Sequence, residues 1–247
     1  MYDYDPWSAT QDELDFGPIR ALDRQWGTLL DDVEVAVLTL LIRMRCVSRE
    51  QLLFLFGWSR FTLALHVETT TATDSCISRL TRLGVLECHR VDGREFFFPT
   101  SRGTRLLMPE HATLRPPAVS RVPHLVASSQ IALHYLARDF TVMLEVDRRY
   151  TNWYALPGPG HQDLIPVLIG RDDQGDLTVA VKAGALRRQG FHRDLVEEVV
   201  ERYGVLDIWA VSPGLASRIS AEVSGPVDKG LCRVHVLPDS GRVFLLT

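Results

Sequence analysis

The sequence predicts a mixed helix-and-strand protein, α/β (α+β) in class, built in two parts. Three observations predict it. Residues 74–105 read as a helix, a tight two-stranded hairpin and a closing turn of helix. Residues 109–123 hold Pro109, Pro116, Pro117 and Pro123, a stretch that cannot continue either regular structure. Beyond it, helical periodicity alternates with short apolar runs of strand length, the pattern of helices packed on a mixed sheet. The parts are then an acidic arm at 1–30, a first domain at 31–108, a linker at 109–123 and a second domain at 124–247.

Met1 to Phe16 carries five acids and no base, and is expected to be loosely held. As an acidic arm it could compete with a nucleic acid for a basic face. Asp31-Asp32 should cap a strongly apolar helix over 33–44, where two acids also suit the helix dipole. Ser48 with Gln51 three residues on is a capping box opening a second helix over 49–56, ended by Gly57. Residues 58–73 are long for a simple turn; Phe61, Leu63, Leu65 and Val67 alternate, and Thr69-Thr70-Thr71 reads as a loop. The next helix is expected over 75–83, capped by Asp74 or Ser75, with Cys76, Ile77, Leu80 and Leu83 inward. Gly84 can end it in the left-handed conformation. Strands over 85–91 and 94–98 follow, joined at Asp92-Gly93, a strong hairpin-turn pair. Thr100 to Leu107 reads as a short helix closing back on the core.

A helix followed by a two-stranded wing is the back half of a winged helix-turn-helix. Between Asp74 and Arg105 six arginines stand against four acids, in a chain whose net charge is −4. Ser75, Ser78, Arg79 and Arg82 on the outer side of the helix, with Arg90 and Arg94 on the wing, are the candidate contacts to double-stranded DNA. Ser75 would sit at the helix N-terminus, where free amides favour phosphate. A solvated helix face, or a winged helix used for protein contact, would carry similar residues.

In the second domain a helix is expected over 124–140, and 141–146 as a strand or the end of that helix. Strands follow over 164–169 and 177–181, then a helix over 191–203 ended by Gly204. A strand over 206–211, a turn at Pro213-Gly214, a helix over 215–223 and strands over 231–237 and 243–246 complete the chain. Asp163 before one hairpin strand and Lys182 closing the next have the placement of a restriction-endonuclease-like site. Such a site holds Mg²⁺ between carboxylates and uses a lysine to orient water or stabilise charge. Glu145 could add a ligand. Ala180, however, stands two residues before Lys182, where such a site carries its second carboxylate; alternation would put the two on one sheet face. Catalysis is therefore open, and the sequence points against it; as a non-enzyme the protein needs no cofactor. Asp163 capping a turn and Lys182 as a solvated strand end is the plainer reading. No GxSxG, HExxH, Walker A or GxGxxG motif is present, and Tyr150 and Tyr154 read as structural.

Four scattered cysteines without a CxxC pair argue against a disulfide framework or structural zinc. No apolar run approaches the ~20 residues that span a bilayer, and the first residues do not form a secretory signal. A cytoplasmic protein is expected. Only Lys182 and Lys229 are lysine, against 25 arginines.

Several segments together resemble the replication-relaxation family of plasmid and mobile-element proteins. They are "SREQLLFLFG", "SCISRLTRLGVLECHRVDGREFFFPTSRGTRLL", "VPHLVASSQIAL", "HQDLIPVLIG", "LTVAVK" and "YGVLDIWAVSPG", spread over about Asp32 to Pro238. The resemblance implies an N-terminal winged helix, a C-terminal nuclease-like α/β sandwich and a role in replication or transfer of mobile DNA in bacteria. It maps the family's acidic pair to Asp163 and to the position of Ala180, so one acid is present and the other is lost. The expected function is DNA binding in replication, transfer or transcription control, with a possible homodimer. A divergent metal-dependent endonuclease and a non-catalytic adaptor are the alternatives.

Overall fold

The computed structural model describes residues 30–57, 69–91, 93–108, 117–138, 140–144, 166–171, 177–183 and 191–238. They form a mixed α+β protein with two small sheets. The chain divides into two compact units, Met1–Ser129 and Gln130–Thr247. No helix among the described residues is long and apolar enough to cross a membrane. The acidic arm, residues 58–68, most of the proline-rich stretch, Asp92, and the strand expected over 243–246 lie outside the described residues.

Unit 1 opens with α1, Asp32–Met44. Asp31 caps it through a reciprocal box: its Oδ1 accepts from Glu34 N at 2.8 Å, and Glu34 Oε2 accepts from Asp31 N at 3.0 Å. β1 is the two-residue strand Val47–Ser48, and α2 follows directly at Arg49–Gly57. The box read at the start of α2 is present, with Ser48 N to Gln51 Oε1 at 3.0 Å and Gln51 N to Ser48 Oγ at 3.3 Å.

α3 runs Thr69–Arg82, so it begins six residues before Ser75. The three threonines expected to form a loop are its first turn, and Asp74 and Ser75 lie inside it rather than at its cap. Threonine is a weak helix former, but Thr73 is fully buried here, and packing outweighs local propensity. The C-terminus matches expectation. Gly84 has φ +69, with Val85 N bonded to Leu80 O and Gly84 N to Thr81 O, a Schellman closure.

β2, Leu86–Val91, and β3, Arg94–Pro99, pair antiparallel, and β1 adds to the other edge of β3. Thr100 caps α4, Ser101–Leu107, by accepting from Gly103 N. Leu38, Leu41, Ile42, Leu52, Leu55, Leu80, Leu86 and Phe97 form the buried core.

A turn of 3₁₀ helix at Val119–Arg121 leads into α5, Val122–Leu136. Its first half belongs to unit 1. Val122, Leu125 and Val126 cluster with Cys46, Phe96 and Phe98, and Ser129 Oγ donates to Cys46 O at 2.6 Å. The division between units therefore comes after the proline-rich stretch, within α5.

Unit 2 holds the rest of α5 and a five-stranded mixed sheet. Its strands are β4, Thr141–Leu144; β5, Pro166–Arg171; β6, Leu177–Ala183; β7, Val205–Ala210; and β8, Cys232–Val236, ordered as numbered. β4, β5 and β6 are antiparallel, whereas β6, β7 and β8 are parallel. The parallel steps require crossovers, supplied by α6, Phe191–Tyr203, and by α7, Pro213–Glu222, with the short α8, Ser224–Asp228. Residues 141–144 are strand, so α5 ends four residues earlier than expected. Pro213-Gly214 is not a turn but the first residues of α7: Ser212 caps the helix, and proline fits its first turn because the N–H it lacks would have no partner within the helix there. α8 had no counterpart in the sequence reading.

Candidate nucleic-acid interface

The hydrophobic seam of α3 decides what its other side offers. Thr73, Cys76 and Leu80 are buried, while Thr70, Thr71, Ser75, Ser78, Thr81 and Arg82 are exposed. At 3.6 residues per turn these exposed residues share one face. It is a hydroxyl-rich face with a single guanidinium. Ser78 and Arg82 stand where they were expected. Ser75 is exposed too, but in the second turn, so its amide is spent within the helix and offers nothing to a phosphate.

Arg79 departs from expectation. It leans onto α1, with Nε 3.2 Å from Glu34 Oε1 and Nη1 3.6 Å from Asp31 Oδ2. Glu34 is only 3% exposed. Burial raises its pKa, and the hydrogen bond from the Asp31 backbone, then the Arg79 charge, partly offset this. Arg79 is thus the counter-ion of a buried acid and is half withdrawn from the outer face. Helical spacing puts residue 79 at the border of the seam, where a long side chain can reach either way.

On the hairpin Arg90 and Arg94 are exposed. Arg90 is not independent. Its Cα stands opposite Glu95 across the strand pair, and Glu95 Oε1 accepts from its Nη2 at 2.9 Å and its Nε at 3.3 Å. Glu95 Oε2 also accepts from Arg49 Nη1 at 3.3 Å, and Arg49 Nη2 binds Asp74. The hydrogen bond from Arg90, with that from Arg49, holds the Glu95 carboxyl below the ordinary range. This four-residue chain ties α2, α3 and the hairpin together. The sequence reading missed it because Arg49 and Glu95 lie 46 positions apart.

Of the residues expected for a nuclease-like site, Lys182 and the Ala180 position lie among the described residues. Asp163 and Glu145 lie outside the described residues. Lys182 lies inside β6 rather than closing it, since pairing with β7 carries the strand to Ala183. It is half-buried, and desolvation lowers its pKa. Ala180 is fully buried, with Asp207 of β7 beside it. That carboxylate is already neutralised. Arg233 donates to it through Nε at 2.6 Å and Nη2 at 3.0 Å, Tyr135 donates its hydroxyl, and His235 Nε2 stands 3.5 Å away. Burial opposes ionisation of Asp207, and the contacts from His235, Arg233 and Tyr135 outweigh it, so its pKa falls. Trp209 Nε1 donates to Tyr135 Oη at 3.3 Å, and the His235 ring stacks on the indole. Burial, then the charges of Arg138 and His235, push His134 down to about 4.

Among the described residues no three His, Cys, Asp or Glu side chains are grouped to hold a metal ion. The described residues do not fit Mg²⁺, and no catalytic step follows from them. The signal for the Asp207 centre was a lone acid inside the apolar run Val205–Ala210. No family model, curated protein or solved structure matches this chain.

Proposed function

We propose that unit 1 is a winged helix-turn-helix that binds double-stranded DNA, with α3 in the major groove and the β2–β3 hairpin as the wing. The observation that carries this reading is the exposed hydroxyl-and-guanidinium face of α3 next to a hairpin that presents Arg90 and Arg94. Short hydroxyls and one arginine favour backbone positioning over a rich base code. Ser78 and Arg82 contact bases or phosphates, Ser75 lies at the rim, and Arg94 reaches phosphate or the minor groove. Arg79 acts from behind, holding α3 against α1.

The resemblance to replication-relaxation proteins supports a role in replication, transfer or transcription control of a mobile element, in the cytoplasm. The β5–β6 hairpin with Lys182 on its second strand supports a nuclease-like ancestry for unit 2. Ala180 and the Arg233-bound Asp207 weigh against cleavage. A second copy joined through unit 2 would place two wings on one duplex.

Selection of bound sequences from a random duplex pool, followed by binding of the full chain and of an Arg82→Ala, Arg94→Ala variant at fixed salt, tests the reading. Binding that is weakened at unchanged melting temperature supports it; equal affinity refutes it. Parallel incubation with plasmid DNA and Mg²⁺ or Mn²⁺ should leave the plasmid intact.

A further inference from the structure

We infer that Glu95 competes with the DNA backbone for Arg49 and Arg90, so that the turn end of the wing is held neutral until a phosphate displaces the carboxylate. This rests on unit 1 binding DNA.

A carboxylate gripped by two guanidiniums presents the same charge sign and acceptor geometry as a phosphate in that place. Here the grip comes from two elements. Arg90 reaches Glu95 across the strand pair, and Arg49 reaches it from the start of α2. The guanidinium side chains lie further out than the acid: Arg90 is 76% exposed and Arg49 36%, against 23% for Glu95. Both donors therefore border solvent, where a backbone phosphate would arrive, and the acid lies deeper. Asp74 holds the other edge of Arg49, so two bases are matched by two acids and this end of the wing exerts little long-range pull.

Such masking limits non-specific affinity, because affinity for duplex rises with the number of phosphates a protein neutralises. It also gives docking a trigger. Transfer of Arg49 from Glu95 to phosphate loosens the tie between α2 and the hairpin, leaving the wing free to settle on the backbone. Glu87, on β2, supplies an internal contrast. It is exposed and lies 3.4 Å from His89 Nε2, and no arginine pairs with it among the described residues.

The test is fluorescence anisotropy of the full chain with a labelled mixed-sequence duplex of about 25 base pairs over a salt series. Glu95→Gln should bind roughly 5- to 10-fold tighter at about 50 mM salt, with a log–log salt slope steeper by about 1 to 2. Glu87→Gln changes net charge equally and should gain less than about 2-fold. The gain should vanish in Glu95→Gln, Arg90→Gln. Should Glu95→Gln disturb folding, Glu95→Asp draws the carboxylate back by one methylene, keeps the charge and should give an intermediate gain. An affinity of Glu95→Gln no better than that of Glu87→Gln, an unchanged slope, or Glu95→Asp equal to wild type overturns the inference while leaving DNA binding standing. Absence of duplex binding by every protein at low salt overturns both.

Discussion

Arg79 and Arg82 sit three positions apart on one helix, and their replacement should have opposite consequences. Arg79→Ala removes the counter-ion of Glu34, an acid 3% exposed. A hydrogen bond to a charged group contributes about 1.5–3 kcal/mol when shielded. The Arg79 side chain is 39% exposed, so solvent screening reduces this to about 1–2 kcal/mol. For a unit of this size that lowers the unfolding midpoint by ~4–8 °C. Arg82 is exposed and pairs with no buried acid among the described residues. Arg82→Ala should change stability by less than about 0.5 kcal/mol and flatten the salt slope of DNA binding by about 0.9.

The pH dependence adds a signed check. The folded pKa of Glu34 is raised above its ordinary 4.5, so the protonated acid favours folding and this contribution fades as pH rises through the folded value. Loss of Arg79 raises that pKa further. The Arg79→Ala deficit should be full at neutral pH and close below about pH 4.5. Thermal melts at pH 7 and pH 4, with anisotropy at pH 7, decide the matter. A variant Arg79→Ala that melts like wild type yet loses DNA as Arg82→Ala does would refute the division of labour.

Asp207→Asn leaves Arg233 without its carboxylate and should cost unit 2 about 2–4 kcal/mol, below the full value for a buried pair because Arg233 is 49% exposed; urea unfolding measures it. Because the folded pKa of Asp207 is lowered, its contribution in the wild type is present above the ordinary 3.8 and lost as pH falls through the lower folded value; Asp207→Asn should lack that acid step. Gly84→Ala, at φ +69, should cost about 1 kcal/mol. Gly103→Ala should cost more, about 2–3 kcal/mol, since its Cβ would lie 2.4 Å from the Val85 carbonyl oxygen; chemical denaturation of both variants ranks them.

Signals that act within one turn or one hairpin were legible in the sequence. The Ser48–Gln51 box, the left-handed Gly84, and the bounds of α6 at Phe191–Tyr203 each depend on residues a few places apart. The outward face of α3 was legible for the same reason: Cys76 and Leu80 orient the helix, and Ser78 and Arg82 follow. The start of α3 was not legible, because buried Thr73 joins the helix only through packing that its own propensity does not announce.

The partner each charge finds belongs to the tertiary structure. Arg79 and Arg82 are the same residue type at adjacent turns, and the sequence offers no ground for separating them. Only the approach of α1 makes one a counter-ion for Glu34 and leaves the other outward. Likewise Glu95 gathers Arg49 from 46 positions away, and Asp207 gathers Tyr135 from 72 and Arg233 from 26. Local pattern sets which way a side chain faces, because helix and strand periods are properties of the backbone. An ion pair, by contrast, needs two charges a few ångströms apart, and that distance exists only once the elements carrying them have packed.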